Sequence, residues 1–170
     1  LMGVINMAHG EFFLIGAYGV FAFTAFGVPF ALAAAAAASI AAIFGVAVEA
    51  LLIRHFVQRT LDTILATWGL SIVLKQLVAL VFGPASVGVA LPLSGEVAVG
   101  PIAYPAYRLT VMVVTLVVIG VVIVFYRCTN FGLAVRASIE NPQMASAFGI
   151  NPRRVRRASF AVGAGTAGLA

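Results

Sequence analysis

Apolar residues run along this chain in stretches of about twenty, separated by short polar or Gly/Pro-containing breaks. The first stretch, 12–28, just reaches the roughly 17–20 helical residues that cross the hydrocarbon core of a bilayer. Gly27 and Pro29 predict a tight turn after it. The second, 30–53, is built on the alanine run 33–38. Small residues let helices approach closely in lipid, and alanine is also a good helix former; both readings stand. The third, 61–82, follows a short basic loop of Arg54, His55 and Arg59, and Gly83-Pro84 ends it. The fourth, 109–126, is rich in Val and Leu, and a fifth begins near Ala158. This pattern predicts an all-α, polytopic integral membrane bundle with about four full spans and the start of a fifth. The chain reads as one transmembrane domain, 1–170, incomplete at both ends.

One long polar segment interrupts the pattern. Arg127–Arg157 reads RCTNFGLAVRASIENPQMASAFGINPRRVRR and holds six of the ten basic residues. An arginine at mid-bilayer costs roughly 2.5–3.5 kcal/mol even on a lenient insertion scale, so this segment is expected to be an aqueous loop. Arg-rich loops stay in the cytoplasm. Two crossings separate it from the basic loop at 54–60, which puts both on one side and the base-poor loop 85–107 on the other.

Within the polar segment a small helix is expected. Asn141 can accept from a free backbone N–H, and Pro142 at the first helical position lacks only a donor that would be orphaned anyway. Gly149 supplies the left-handed residue that closes the helix. Met144 and Phe148, four apart, share a face. Asn151-Pro152 repeats the start signal for the next helix, whose first turns carry Arg153, Arg154, Arg156 and Arg157. Such a helix either inserts its apolar ridge into a partner's groove or rests on lipid headgroups with its arginines on phosphates.

Composition narrows the class. Charged residues are 9% of the chain and hydrophobic ones 63%, where a soluble domain carries about 25% charged residues. The net charge of +5 lies mostly in the basic loops, so it calls for lipid and not for nucleic acid. The one cysteine, Cys128, excludes an intrachain disulfide and reads as a small apolar residue near a helix end. No signal-peptide pattern opens the chain.

Ionisable and polar residues inside spans are the candidates for function. Asn6, His9 and Glu11 surround Gly10, where a broken helix would face protein or a water-filled path; their depth is open. His9 and His55 are the only histidines, too few for a three-ligand metal site. Glu49 lies five residues from Arg54 and is expected to snorkel to the interface, as Lys75 is towards the outer headgroups. Thr67, Ser71 and Lys75 fall on one helical stripe, with Trp68 and Gln76 nearby. That polar face either bonds neighbouring helices or lines a solute path. Gly163, Ala167 and Gly168 suit close helix packing.

VINMAHGEFFLIGAY near the start, LDTILATWGLSIVLKQ in the third stretch and FGLAVRASIENPQMASAFGINPRRVRRASFAVGAGTAGLA at the end together resemble one family. It is the permease subunit of bacterial ABC importers for branched-chain amino acids, with close relatives that import urea and short amides. The resemblance implies a bacterial inner-membrane permease that works with a second permease subunit, homologous or identical, two cytoplasmic ABC ATPases and a periplasmic solute-binding protein. It implies that Asn141, Pro142, Met144, Phe148, Gly149, Ile150 and Asn151 face the ATPase. The path would be lined by Asn6, His9, Glu11, Thr67, Trp68, Ser71 and Gln76. ATP and Mg would be held by the partner subunits, with no cofactor in this chain: a phosphate-binding GxxxxGK[ST] loop needs Gly before its Lys, and Leu74 precedes the only lysine, Lys75. LSGE at 93–96 superficially resembles an ABC signature but lacks the following Gly-Gln and reads as a turn. An ion-coupled secondary transporter is the alternative from another class and would need intramembrane carboxylates, for which Glu11 and Glu49 are candidates. An intramembrane enzyme would need a Ser/His or carboxylate pair at depth, and none is spaced for it.

Overall fold

The computed structural model describes residues 6–56, 59–83, 88–89, 95–99 and 102–170. Helix α1 (His9–Ala25) turns at Gly27 and Pro29 into α2 (Phe30–Val48). The second helix does not end where its apolar stretch does. It widens into a π-helical turn, Glu49–Ile53, and closes with α3 (Arg54–Phe56). Next come α4 (Thr60–Phe82), a short antiparallel hairpin of β1 (Glu96–Val99) and β2 (Ile102–Pro105), and α5 (Ala106–Cys128). Then follow α6 (Asn130–Glu140), α7 (Pro142–Ala147) and α8 (Pro152–Leu169). Among the described residues, three continuous helices are long and apolar enough to cross a membrane: Phe30–Phe56, Leu61–Phe82 and Ala106–Cys128. The architecture is an all-α polytopic membrane bundle carrying one small hairpin. Pro84, and Leu93 and Ser94 of the LSGE run, lie outside the described residues.

The core is a three-helix body of α1, α2 and α8. Ala33, Ala37, Ala41 and Gly45 recur every fourth residue of α2 and are all buried. The alanine run is therefore a packing stripe. Opposite it, a Cβ added to Gly168 would stand 2.5 Å from the Ala41 Cβ, and one added to Gly45 would stand 2.5 Å from the Ala164 Cβ. A Cβ on Gly16 would collide with the Gly168 carbonyl. Without a hydrophobic drive between helices in lipid, such close approach supplies the attraction. Phe12 plugs the seam edge-on to Phe44 and Phe160, at ring separations of 6.3 and 5.8 Å. Of the residues expected to pack on the last helix, Gly168 is buried, whereas Gly163 faces open space and its neighbour Ala164 is buried instead.

Outside this body packing is thin. Helix α5 buries none of its residues, and it packs on α6 and β2. Some hydroxyls on the spans return to their own helix, as in Ser39 Oγ to Ala35 O (2.8 Å) and Thr110 Oγ1 to Ala106 O (3.0 Å). Those donors are then satisfied without water.

Candidate functional site

Three polar features stand out, each built by a different pair of elements. The first joins α1 to α4. The Thr67 hydroxyl donates to Thr63 O (2.9 Å) and accepts from Met7 N (3.1 Å). One turn on, Ser71 Oγ donates to Glu11 Oε1 at 2.7 Å, and Lys75 Nζ lies 3.2 Å from the same oxygen. Farther along, Tyr18 and Phe21 of α1 pack on Phe82 at ring separations of 4.7 and 6.2 Å. The two helices thus run parallel with α1 shifted forward. Its first turn sits level with Thr67, seven residues and so roughly 10 Å into α4.

Helix α1 is not broken at Gly10, which lies in its first turn. Asn6 Oδ1 accepts from Ala8 N (3.0 Å) just before it. Lys75 does not extend away along α4; its ammonium turns back to Glu11. Among the residues named as path candidates, Glu11, Thr67 and Ser71 are brought together here. Asn6 sits beside them, while His9, Trp68 and Gln76 are exposed and make no polar contact with the cluster among the described residues. Gln76 lies about 140° around α4 from Ser71, at 100° per residue.

The second feature is hidden from local reasoning. Glu49 is 1% exposed and holds two guanidinium groups, Arg156 Nε at 2.8 Å on Oε1 and Arg157 Nε at 3.3 Å on Oε2. It does not snorkel towards Arg54. The first turns of α8 bring the arginines across, and the π-helical turn begins at Glu49 itself. The sequence signal is faint: one acid near a span end, and an Arg pair a hundred residues later.

The third feature is α7 and its joints. Asn141 Oδ1 accepts from Gln143 N (3.1 Å) and Met144 N (3.0 Å), capping the helix over Pro142. The helix closes at Gly149, φ +81°, with Gly149 N donating to Ser146 O and Ile150 N to Ala145 O, both at 3.0 Å. This paired closure needs a residue with positive φ, which glycine alone adopts freely. Asn151 Oδ1 then caps α8, accepting from Arg153 N (3.1 Å) and Arg154 N (3.3 Å). Ala145 anchors α7 inward, while Met144 and Phe148 are 57% and 80% exposed. Beside Phe148 a hollow of about 410 Å³ is lined by Ser146, Gly149, Ile150, Asn151, Pro152 and Arg153. The polar segment as a whole also holds α6, which the sequence pattern does not predict; Thr129 caps it by accepting from Gly132 N at 3.2 Å.

Because two N–H groups of α8 depend on one side chain, Asn151→Ala is expected to cost about 1 kcal/mol. The check is hydrogen exchange at the Arg153 and Arg154 amides, which should quicken while the amides of α2 do not.

The described residues form a helical membrane bundle with capped connecting helices and acid–base pairs between its helices, and comparison with known proteins places it in a family. The family model described as "Branched-chain amino acid transport system / permease component" matches residues 1–170. The chain belongs to that family. It is 31% identical over 185 residues to the high-affinity branched-chain amino acid transport system permease protein LivH of Salmonella typhimurium, and 30% identical to LivH of Escherichia coli K12. It is 30% identical over 187 residues to the corresponding protein BraD of Pseudomonas aeruginosa. Each of these matches takes in 100% of this chain and 60% of the relative, so the chain spans about three fifths of their length. No solved structure matches the chain.

Proposed function

We propose that this chain is the larger part of a permease subunit of an ATP-driven importer for branched-chain or other hydrophobic amino acids. It lies in the bacterial inner membrane with the basic segment 127–157 in the cytoplasm. In this reading it pairs with a second permease subunit, two cytoplasmic ATPases that hold ATP and Mg, and a periplasmic solute-binding protein. The relatives' names favour an amino acid over urea or an amide. Helix α7 docks in an ATPase groove through Met144 and Phe148, with Asn141, Pro142, Gly149, Ile150 and Asn151 setting its pose. Glu11, Thr67 and Ser71 border the solute path.

The single observation that carries the docking role is Phe148, 80% exposed at the end of a helix stiffened at both joints. A large apolar side chain held out by rigid backbone loses little entropy on docking, which favours binding. Only the three residues Phe148–Ile150 and the capping residue Asn151 lie between α7 and α8, and α8 is part of the three-helix body, so a push on α7 reaches α1 and α2. In co-purification of the full-length permease with its ATPase, Phe148→Asp should abolish capture while membrane insertion persists. Gly149→Pro, which forbids positive φ, should do the same. Capture retained in both variants would make α7 a lipid-facing anchor and move the ATPase contact elsewhere, whereas no capture by the wild-type permease would return the secondary-transporter alternative to contention.

A further inference from the structure

Glu11 and Lys75 are unequal partners. The Glu11 side chain is 7% exposed and that of Lys75 65%. Ser71 fixes one carboxylate oxygen from α4. The other, Oε2, accepts no hydrogen bond among the described residues. One charge is therefore built into the seam between α1 and α4, and the other rides on a flexible four-carbon stem. The Lys75 ammonium makes its one ion pair among the described residues with Glu11 Oε1, so it can swing aside without breaking a second salt bridge. Groups at membrane depth that carry charge face protein interior or water rather than lipid.

We propose that Glu11, Ser71 and Lys75 form a binding site for the zwitterionic head of an α-amino acid, which enters between the two charges. The solute's ammonium lies on the carboxylate of Glu11, and its carboxylate takes the ammonium of Lys75. One salt bridge is replaced by two, so the site closes on itself when empty and opens only for a solute bearing both charges. A neutral amide or urea supplies neither, and a simple amine leaves Lys75 unpaired.

The surface alongside suits a branched side chain. At 100° per residue Trp68 lies about 20°, and Ile72 about 60°, around α4 from Lys75, on the side away from Ser71. Both are exposed, at 56% and 52%. The solute's head would sit on the polar stripe and its apolar end on this adjoining face. This inference rests on the importer reading above.

The test is equilibrium binding of radiolabelled L-leucine to the full-length importer complex in nanodiscs, without the binding protein. The unlabelled competitors are L-leucine, L-leucinamide, which lacks the carboxylate, and 4-methylpentanoate, which lacks the ammonium. Wild type should bind leucine and prefer it over both analogues. In Lys75→Met, leucine should weaken about tenfold or more, from loss of a charged hydrogen bond, and leucinamide should compete as well as leucine. In Glu11→Gln, 4-methylpentanoate should gain that parity instead. Membrane insertion and ATPase capture serve as folding controls for both variants. Equal weakening of all three solutes, or no change in leucine binding, would reduce the pair to a helix latch and overturn the proposal. Absence of leucine binding in a wild-type complex that imports leucine would also overturn it, leaving the importer reading intact. Failure of the wild-type system, with its binding protein present, to import leucine or any other hydrophobic amino acid would instead overturn the importer reading.

Discussion

Glu49→Ala should be among the most destabilising single substitutions in the chain, lowering stability by about 3–5 kcal/mol, the usual cost of removing one partner from a buried ion pair. The carboxylate is the only acidic side chain on Arg156 and Arg157 among the described residues. Its loss strands Arg156, whose side chain is 19% exposed, against α2. Arg157 is about half exposed and adds less, because water screens it. Since Glu49 opens the π-helical turn that ends α2, the damage should centre on the joint between α2 and α8. The measurement is the thermal midpoint of the purified protein in detergent, alongside Glu49→Leu combined with Arg156→Leu and Arg157→Leu. Removing the whole charged cluster is often close to neutral, so the triple variant should recover most of the lost stability. A midpoint for Glu49→Ala within the range of an exposed substitution would show that the cluster does not hold these helices together.

A second large effect reverses an ordinary rule. Glycine to alanine inside a helix normally stabilises by up to about 1 kcal/mol, through backbone entropy. Gly16→Ala should instead destabilise by about 1–3 kcal/mol or more, the range for overpacking. The new methyl meets the backbone of Gly168, which cannot rotate aside as a side chain would. Helix α1 must then separate from α8, which also loosens the Phe12 contacts with Phe44 and Phe160. Gly163→Ala is the matched control: it is helical, and nothing lies within 4 Å of the added carbon. The two variants should shift the thermal midpoint in opposite directions. Shifts of the same sign would argue against a close backbone contact between α1 and α8.

Much of this fold is written locally. Spans follow from runs of apolar residues, and α7 from Asn141, Pro142, Gly149 and Asn151, whose short-range hydrogen bonds need no distant partner. What escapes a local reading depends on distant segments. Glu49 reads as an acid that snorkels to the interface, because Arg54 is five residues away, yet its partners arrive with α8. Lys75 has the reach for headgroups, but Glu11 lies closer in space once α1 is offset along α4. The polarity of Thr67 and Ser71 is legible, whereas the segment they meet is not. Helix α6 goes unnoticed because its four-residue apolar spacing is diluted by Arg136 and Glu140. The hairpin hides in a stretch whose Gly and Pro read as plain loop. Gly163 and Ala164 differ by one register step, which periodicity in so uniformly small a run cannot resolve.

The pairing of Glu49 with Arg156 also sets a timetable for biogenesis. The two are 107 residues apart. At about 5–20 residues per second on the ribosome, the carboxylate is made roughly 5–20 s before its guanidinium partner exists. Throughout that interval α2 sits in or beside the translocon with an unpaired acid near its end. Position near the end of the span makes the wait tolerable, since the side chain can stay hydrated in the headgroup zone until α8 draws it in. Moving the same acid two turns deeper would place it in the hydrocarbon for that whole interval, with its guanidinium partner not yet made.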